Sequence, residues 1–129
     1  MTIVVDVANV MGSRPDGWWR DRAGAAVRLH AQLAALAASG TAPGEPEEPE
    51  EFVMVLEGAA KAAAPRIPDD PNVRVVQAPG SGDDAIVAVV RELGGHCSVV
   101  TADRGLRDRC TAAGAKVLGP GWLLGQRHP

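Results

Sequence analysis

The sequence predicts an α/β fold, a three-layer sandwich around a central, mainly parallel five-stranded sheet. Three observations carry this. Five short apolar runs, at residues 2–7, 52–56, 72–77, 97–101 and 115–119, read as strands, and the first is continuous rather than alternating, as in a strand buried on both faces. Stretches of helical spacing or composition separate them, which is the pattern of a parallel sheet with helices on both sides. The chain's 129 residues, 46% of them hydrophobic, suit one compact domain.

The first strand, over residues 2–7, leads into a loop punctuated by Gly12, Pro15 and Gly17. A helix follows over 20–38, where Ala26, Leu29, Leu33 and Leu36 recur at helical spacing. Asp16 or Asp21 starts it and Gly40 stops it. The Pro/Gly/Glu segment that comes next carries Glu45, Glu47, Glu48, Glu50 and Glu51 in one run. It has little to bury and its charges repel, so a mobile acidic loop is expected at about 40–51 within a single domain spanning 1–129. After the second strand, "EGAAKAAA" reads as a short helix ended by Pro65, and a third strand follows. A helix over 83–93 presents Ile86, Val89, Val90 and Leu93 as its buried stripe. The fourth strand, a helix over 103–113, the fifth strand and a terminal turn or short helix over 121–127 complete the chain.

Composition excludes several classes. No apolar run approaches the roughly 18–20 residues that span a bilayer, so no membrane partner is expected. Cys97 and Cys110 form neither a disulfide framework nor a metal-type spacing, and are expected to pack as small apolar residues in a reducing, cytoplasmic setting. The net charge of −3 argues mildly against a simple basic nucleic-acid patch. The acidic run accounts for that balance, and the rest of the chain is slightly positive.

Functional crevices of parallel sheets lie beyond the carboxyl ends of the strands. Asp6 ends the first strand in "VVDVANV", Glu57 ends the second, Asp83 and Asp84 follow the third, and Asp103 follows the fourth in "VVTADRGLRDR". Each has a structural reading: Asp83 and Asp84 complement a helix dipole, Ser81 and Asp84 fit a capping box, Asp103 fits an N-cap, and Glu57 reads as a surface strand terminus. Asp6 interrupts a buried strand and needs a partner there. Together, carboxylates converging on one edge repel each other, and a divalent cation with oxygen ligands, Mg²⁺ or Mn²⁺, relieves that repulsion. Such a site suits phosphoryl chemistry through a metal-activated water.

"DVAN" (residues 6–9), "SGDDAIVA" (81–88) and "TADRGL" (101–106) resemble the NYN domain ribonucleases of the PIN-like superfamily, which have a Rossmann-like fold. The resemblance covers residues 2 to about 118 and implies a Mg²⁺- or Mn²⁺-dependent endoribonuclease. Carried over, it makes Asp6, Asp84 and Asp103 the metal acids, Asp83 a supporting catalytic acid, and Asn9 a residue that orients Asp6 or the substrate. Asp108 reads as a solvated helix residue. The implied partner is RNA, single-stranded; a homodimer or protein partner stays open.

Arg14, Arg20 and Arg104 stand in segments leaving this edge, where they can contact phosphates, and Ser81 can donate to a phosphate oxygen. Trp18 and Trp19 either stack on unpaired bases or pin their loop to the core. Trp122 reads as core, and His30, His96 and His128 as incidental. Two alternatives remain. Gly80, Gly82 and Ala85 match G-x-G-x-x-A, which allows a nucleotide-binding module, although Asp83 and Asp84 would face its pyrophosphate. A catalytically weak PIN-like domain that binds RNA or a partner is the other.

Overall fold

The computed structural model describes residues 2–14, 17–38 and 51–125, with Leu124 and Gly125 described by backbone alone. The expected loop at about 40–50, and the assignments made to Asp16, Gly40 and His128, lie outside the described residues.

Five strands form one sheet: β1 (Thr2–Asp6), β2 (Glu51–Leu56), β3 (Val73–Gln77), β4 (Cys97–Val100) and β5 (Lys116–Leu118). Every pairing is parallel, and the order is β3-β2-β1-β4-β5. The chain winds outward from β1 to β3, crosses back, and continues from β4 to β5. The winding therefore reverses between β1 and β4, and a crevice opens at the carboxyl ends of that pair.

The pleat sends alternate residues of the strands into two cores. Ile3, Val5, Phe52, Met54 and Leu56 face α1 (Val7–Gly12) and α2 (Arg22–Ala38). Val4, Val53, Val55 and Val99 face α3 (Gly82–Glu92) and α4 (Arg104–Ala112). All of these side chains are buried, which is why the strand runs are continuously apolar. Alanines of α2 and of the segment Gly58–Arg66, including Ala25, Ala26, Ala60 and Ala63, let those two elements pack closely.

Three local expectations are corrected. The loop expected after β1 holds a helix: α1 starts directly at Asp6, which caps it, and buries Val7, Val10 and Met11. The helix expected from residue 20 begins at Arg22, after a 3₁₀ turn at Trp18–Arg20; Asp21 accepts from the Gly24 N–H at 2.8 Å and so supplies the cap. The segment Gly58–Arg66 is 3₁₀ and contains Pro65 rather than ending before it. Its tighter winding needs fewer of the i to i−4 bonds that proline disrupts. The helices over 82–92 and 104–112 and the last helix, α5 (Pro120–Gly125), fall where the sequence puts them, and Trp122 packs against the core.

Cys97 and Cys110 are buried free thiols. Burial raises both, Cys110 to about 11, so they act as neutral apolar side chains.

Candidate active site

Asp6 is the last residue of β1, and its side chain is 6% exposed. Its Oδ1 accepts the Asn9 N–H at 3.3 Å, which caps α1. Its Oδ2 accepts the Thr101 hydroxyl at 2.9 Å, across 95 residues of sequence. Thr101 is fully buried just beyond β4 and also accepts the Asp103 N–H at 3.1 Å. Asn9 completes the tie, its Oδ1 accepting the Ala102 N–H at 2.8 Å. The "DVAN" and "TAD" segments are thus laced together across the switch point between β1 and β4. Asp103 then caps α4, accepting the Leu106 N–H at 2.9 Å.

The third contributor is the start of α3. Ser81 caps it, its Oγ accepting the Asp84 N–H at 3.3 Å. Glu57, at the end of β2, reaches across and accepts the Gly82 N–H at 2.8 Å. Gly82 is needed there, because a Cβ would stand 2.7 Å from the Glu57 carboxylate carbon. Glu57 is therefore more than a surface strand terminus.

The electrostatics follow from this convergence. Burial raises the Asp6 carboxyl above its ordinary value; the bonds from Thr101 and Asn9 pull it back, and the charges of Asp83 and Glu57 push it up again. Asp83 is raised by partial burial first, then by Asp103 and Glu57, against the pull of Arg109. The charges of Asp83 and Glu57 therefore reach Asp6, and those of Asp103, Glu57 and, least, Asp84 reach Asp83 along the same edge. Asp84 points elsewhere. Its carboxylate is 73% exposed and pairs with Arg109 at 2.9 Å, an exposed ion pair of little energetic weight. With Ser81, it lines an open groove of about 580 Å³ between α3 and β3.

The other expected site residues are spread more widely. Arg14 donates to Gln32 Oε1 at 2.8 Å, tying the loop after α1 to α2. Arg20 lies over the Trp19 ring at 5.7 Å, and Arg104 is exposed in the first turn of α4. Two residues absent from the expected site belong to its framework. Thr101 has a signal in the "TADRGL" motif quoted above. Glu57 has only its position at a strand end.

The donor set is right in kind for a hard divalent cation, since every member offers carboxylate oxygen. As placed, no three acidic, histidine or cysteine side chains among the described residues close into a metal cage. The glycine pattern fares worse as a phosphate cradle, because the Glu57 carboxylate already occupies the α3 N-terminal N–H that a pyrophosphate would take.

No protein-family model matches the chain, and no curated protein sequence does. Among solved structures it resembles Rae1 (YacP) from Bacillus subtilis, with a TM-score of 0.76 and 16% identity over 98% of this chain and 72% of that one. A mutant of the same protein gives a TM-score of 0.72 at 16% identity, over 97% of this chain and 73% of that one. The likeness establishes the α/β sandwich around a five-stranded parallel sheet as the fold of this chain.

Proposed function

We propose that this chain is a metal-dependent endoribonuclease that hydrolyses RNA phosphodiester bonds with an activated water. The observation that carries the reading is the placement of Asp6, Glu57, Asp83 and Asp103 beyond the carboxyl ends of four neighbouring strands, with Asp83 and Glu57 acting on Asp6 and with Asp103 and Glu57 acting on Asp83. Burial and mutual repulsion already raise two of these carboxyls. Acids held in each other's field lose stability unless something neutralises them, and a divalent cation does so while a purely structural role does not require it. The choice of RNA rests on the resemblance of the three motifs to NYN domain ribonucleases.

Asp6, Asp83 and Asp103 would hold the cation, which, when bound, supplies a Lewis acid and a water of lowered pKa. The chain's own contribution is positioning. Thr101 fixes the rotamer of Asp6 and the backbone of Asp103 with one hydroxyl. Asn9 holds the 101–103 segment against α1. Asp83, set among the charges of Asp103, Glu57 and Asp6, would orient the water.

The test is cleavage of an end-labelled RNA with Mg²⁺ or Mn²⁺, with and without chelator. Asp6→Asn and Asp83→Asn should each lower the rate by at least about 100-fold. Asp84→Asn should change it by less than about tenfold, since that carboxylate faces Arg109. Cleavage that survives both chelator and Asp6→Asn would sink the proposal.

A further inference from the structure

Trp19 is the only large hydrophobic side chain among the described residues that lies exposed, at 56%. Its neighbour Trp18 behaves differently. Trp18 is half-buried, packs against the core, and covers Gly12 at the end of α1, where a Cβ would come within 3.8 Å of its ring. The two rings meet edge to face, with centroids 6.2 Å apart and planes at 88°. One tryptophan therefore pins the turn, and the other is held upright on it with its surface in solvent. A guanidinium attends each ring: Arg20 lies 5.7 Å from the centre of Trp19, and Arg22 lies 5.2 Å from that of Trp18. Both arginines are themselves exposed.

The feature is the combination: an exposed indole fixed in orientation by a half-buried neighbour, with two exposed guanidinium groups beside the pair. The partner that fits must offer a flat π-face to the indole and negative charge to the guanidinium groups. A nucleotide offers both, and it offers the base face only when the base is unpaired. The position agrees. The turn lies just past the end of α1, and Asp6 caps the other end of that six-residue helix.

We infer that Trp19, with Arg20 and Arg22, is a stacking platform for an unpaired base of the nucleic acid that this chain binds. The inference rests on the ribonuclease reading for the identity of the nucleic acid. The platform itself is a binding device, and it can be tested without cleavage.

The experiment measures binding of a fluorescein-labelled single-stranded RNA of about a dozen nucleotides, and of the same strand annealed to its complement, to the full chain in chelator. Trp19→Ala should weaken single-strand binding about tenfold and leave duplex binding within about twofold, with an unchanged melting temperature. Trp19→Phe should restore most of the affinity, because a smaller ring still stacks. Single-stranded RNA should also quench the tryptophan emission of the native chain, and that quenching should be lost in Trp19→Ala. Three results would overturn the inference: single-strand binding indifferent to Trp19→Ala, equal loss for single strand and duplex, or no RNA binding in a chain whose self-association Trp19→Ala abolishes. Trp19-dependent binding without any cleavage under Mg²⁺ or Mn²⁺ would reject the nuclease reading alone. Cleavage that is unaffected by Trp19→Ala at limiting RNA would reject the platform alone.

Discussion

The contact between Glu57 and Gly82 predicts an energetic coupling with a definite sign. In Gly82→Ala, the new methyl would stand 2.7 Å from both Cδ and Oε2 of Glu57, so the carboxylate must withdraw. Withdrawal gives up the 2.8 Å bond from the Gly82 N–H. A hydrogen bond to a charged group contributes about 1.5–3 kcal/mol, and partial exposure reduces this to roughly 1–1.5 kcal/mol. Alanine returns roughly 0.5 kcal/mol, since its advantage over glycine in a helix interior is about 1 kcal/mol and is smaller in the first turn. The net expectation is a loss of about 0.5–1 kcal/mol. In a Glu57→Ala background neither the clash nor the bond exists, and Gly82→Ala should stabilise by roughly 0.5 kcal/mol. Urea unfolding of the four proteins at pH 7 closes a double-mutant cycle with a coupling of about 1–1.5 kcal/mol. A coupling below about 0.3 kcal/mol, or a loss of the same size in both backgrounds, would refute the assigned contact.

Two further predictions address the interior. Thr101→Val keeps the shape but removes the donor to Asp6 and the acceptor for the Asp103 N–H; it should cost about 2–3 kcal/mol in urea unfolding, and less in an Asp6→Asn background. His30 is buried with Nε2 unpartnered, and burial lowers its pKa below 6.5 despite the pull of Asp70. The folded state then binds fewer protons than the unfolded one, so stability is present above about pH 6.5 and is lost as the pH falls through that value toward the lowered pKa. In His30→Leu this component of the acid loss should vanish from urea midpoints measured between about pH 7 and 5, and an unchanged pH slope would show that His30 does not carry it.

The parts legible in the sequence are those that depend on one element at a time. Apolar runs such as residues 2–7 and 52–56 marked strands, and the carboxylates at strand ends fall at one edge of the sheet. What was not legible depends on distance through space or on rotation. The six residues of α1 are too few to show a periodic stripe, and valine, asparagine and glycine among them are weak helix formers; the Asp6 cap and burial of Val10 and Met11 make the helix. The environments of Asp83 and Asp84 differ by one residue's turn of the helix, about 100°. That turn leaves Asp83 partly buried in the field of Asp103 and Glu57, with Arg109 opposing, and leaves Asp84 exposed and paired with Arg109. Glu57 finds its partner 25 residues away, a contact that only the pairing of β2 beside β3 brings about.

The structural and the chemical readings of these acids are compatible, because a carboxylate has two oxygens. Asp6 and Asp103 each cap a helix through Oδ1. In Asp103 this leaves Oδ2 without a hydrogen bond among the described residues, and in Asp6 the second oxygen goes to the Thr101 hydroxyl. Parallel β/α architecture makes this coincidence systematic. Each strand end is followed by a helix start, a helix start prefers an acceptor side chain, and all such starts face one edge. Capping therefore gathers acids at the crevice before any ligand is considered, and their repulsion sets a cost that a cation can relieve. The same logic governs how the residues should be probed. Asparagine keeps the capping oxygen and removes the charge, whereas alanine also removes the cap, at about 1 kcal/mol. A loss of function in Asp103→Asn with stability retained points to the chemistry of the second oxygen. The same loss in Asp103→Ala reports on both roles at once and separates neither.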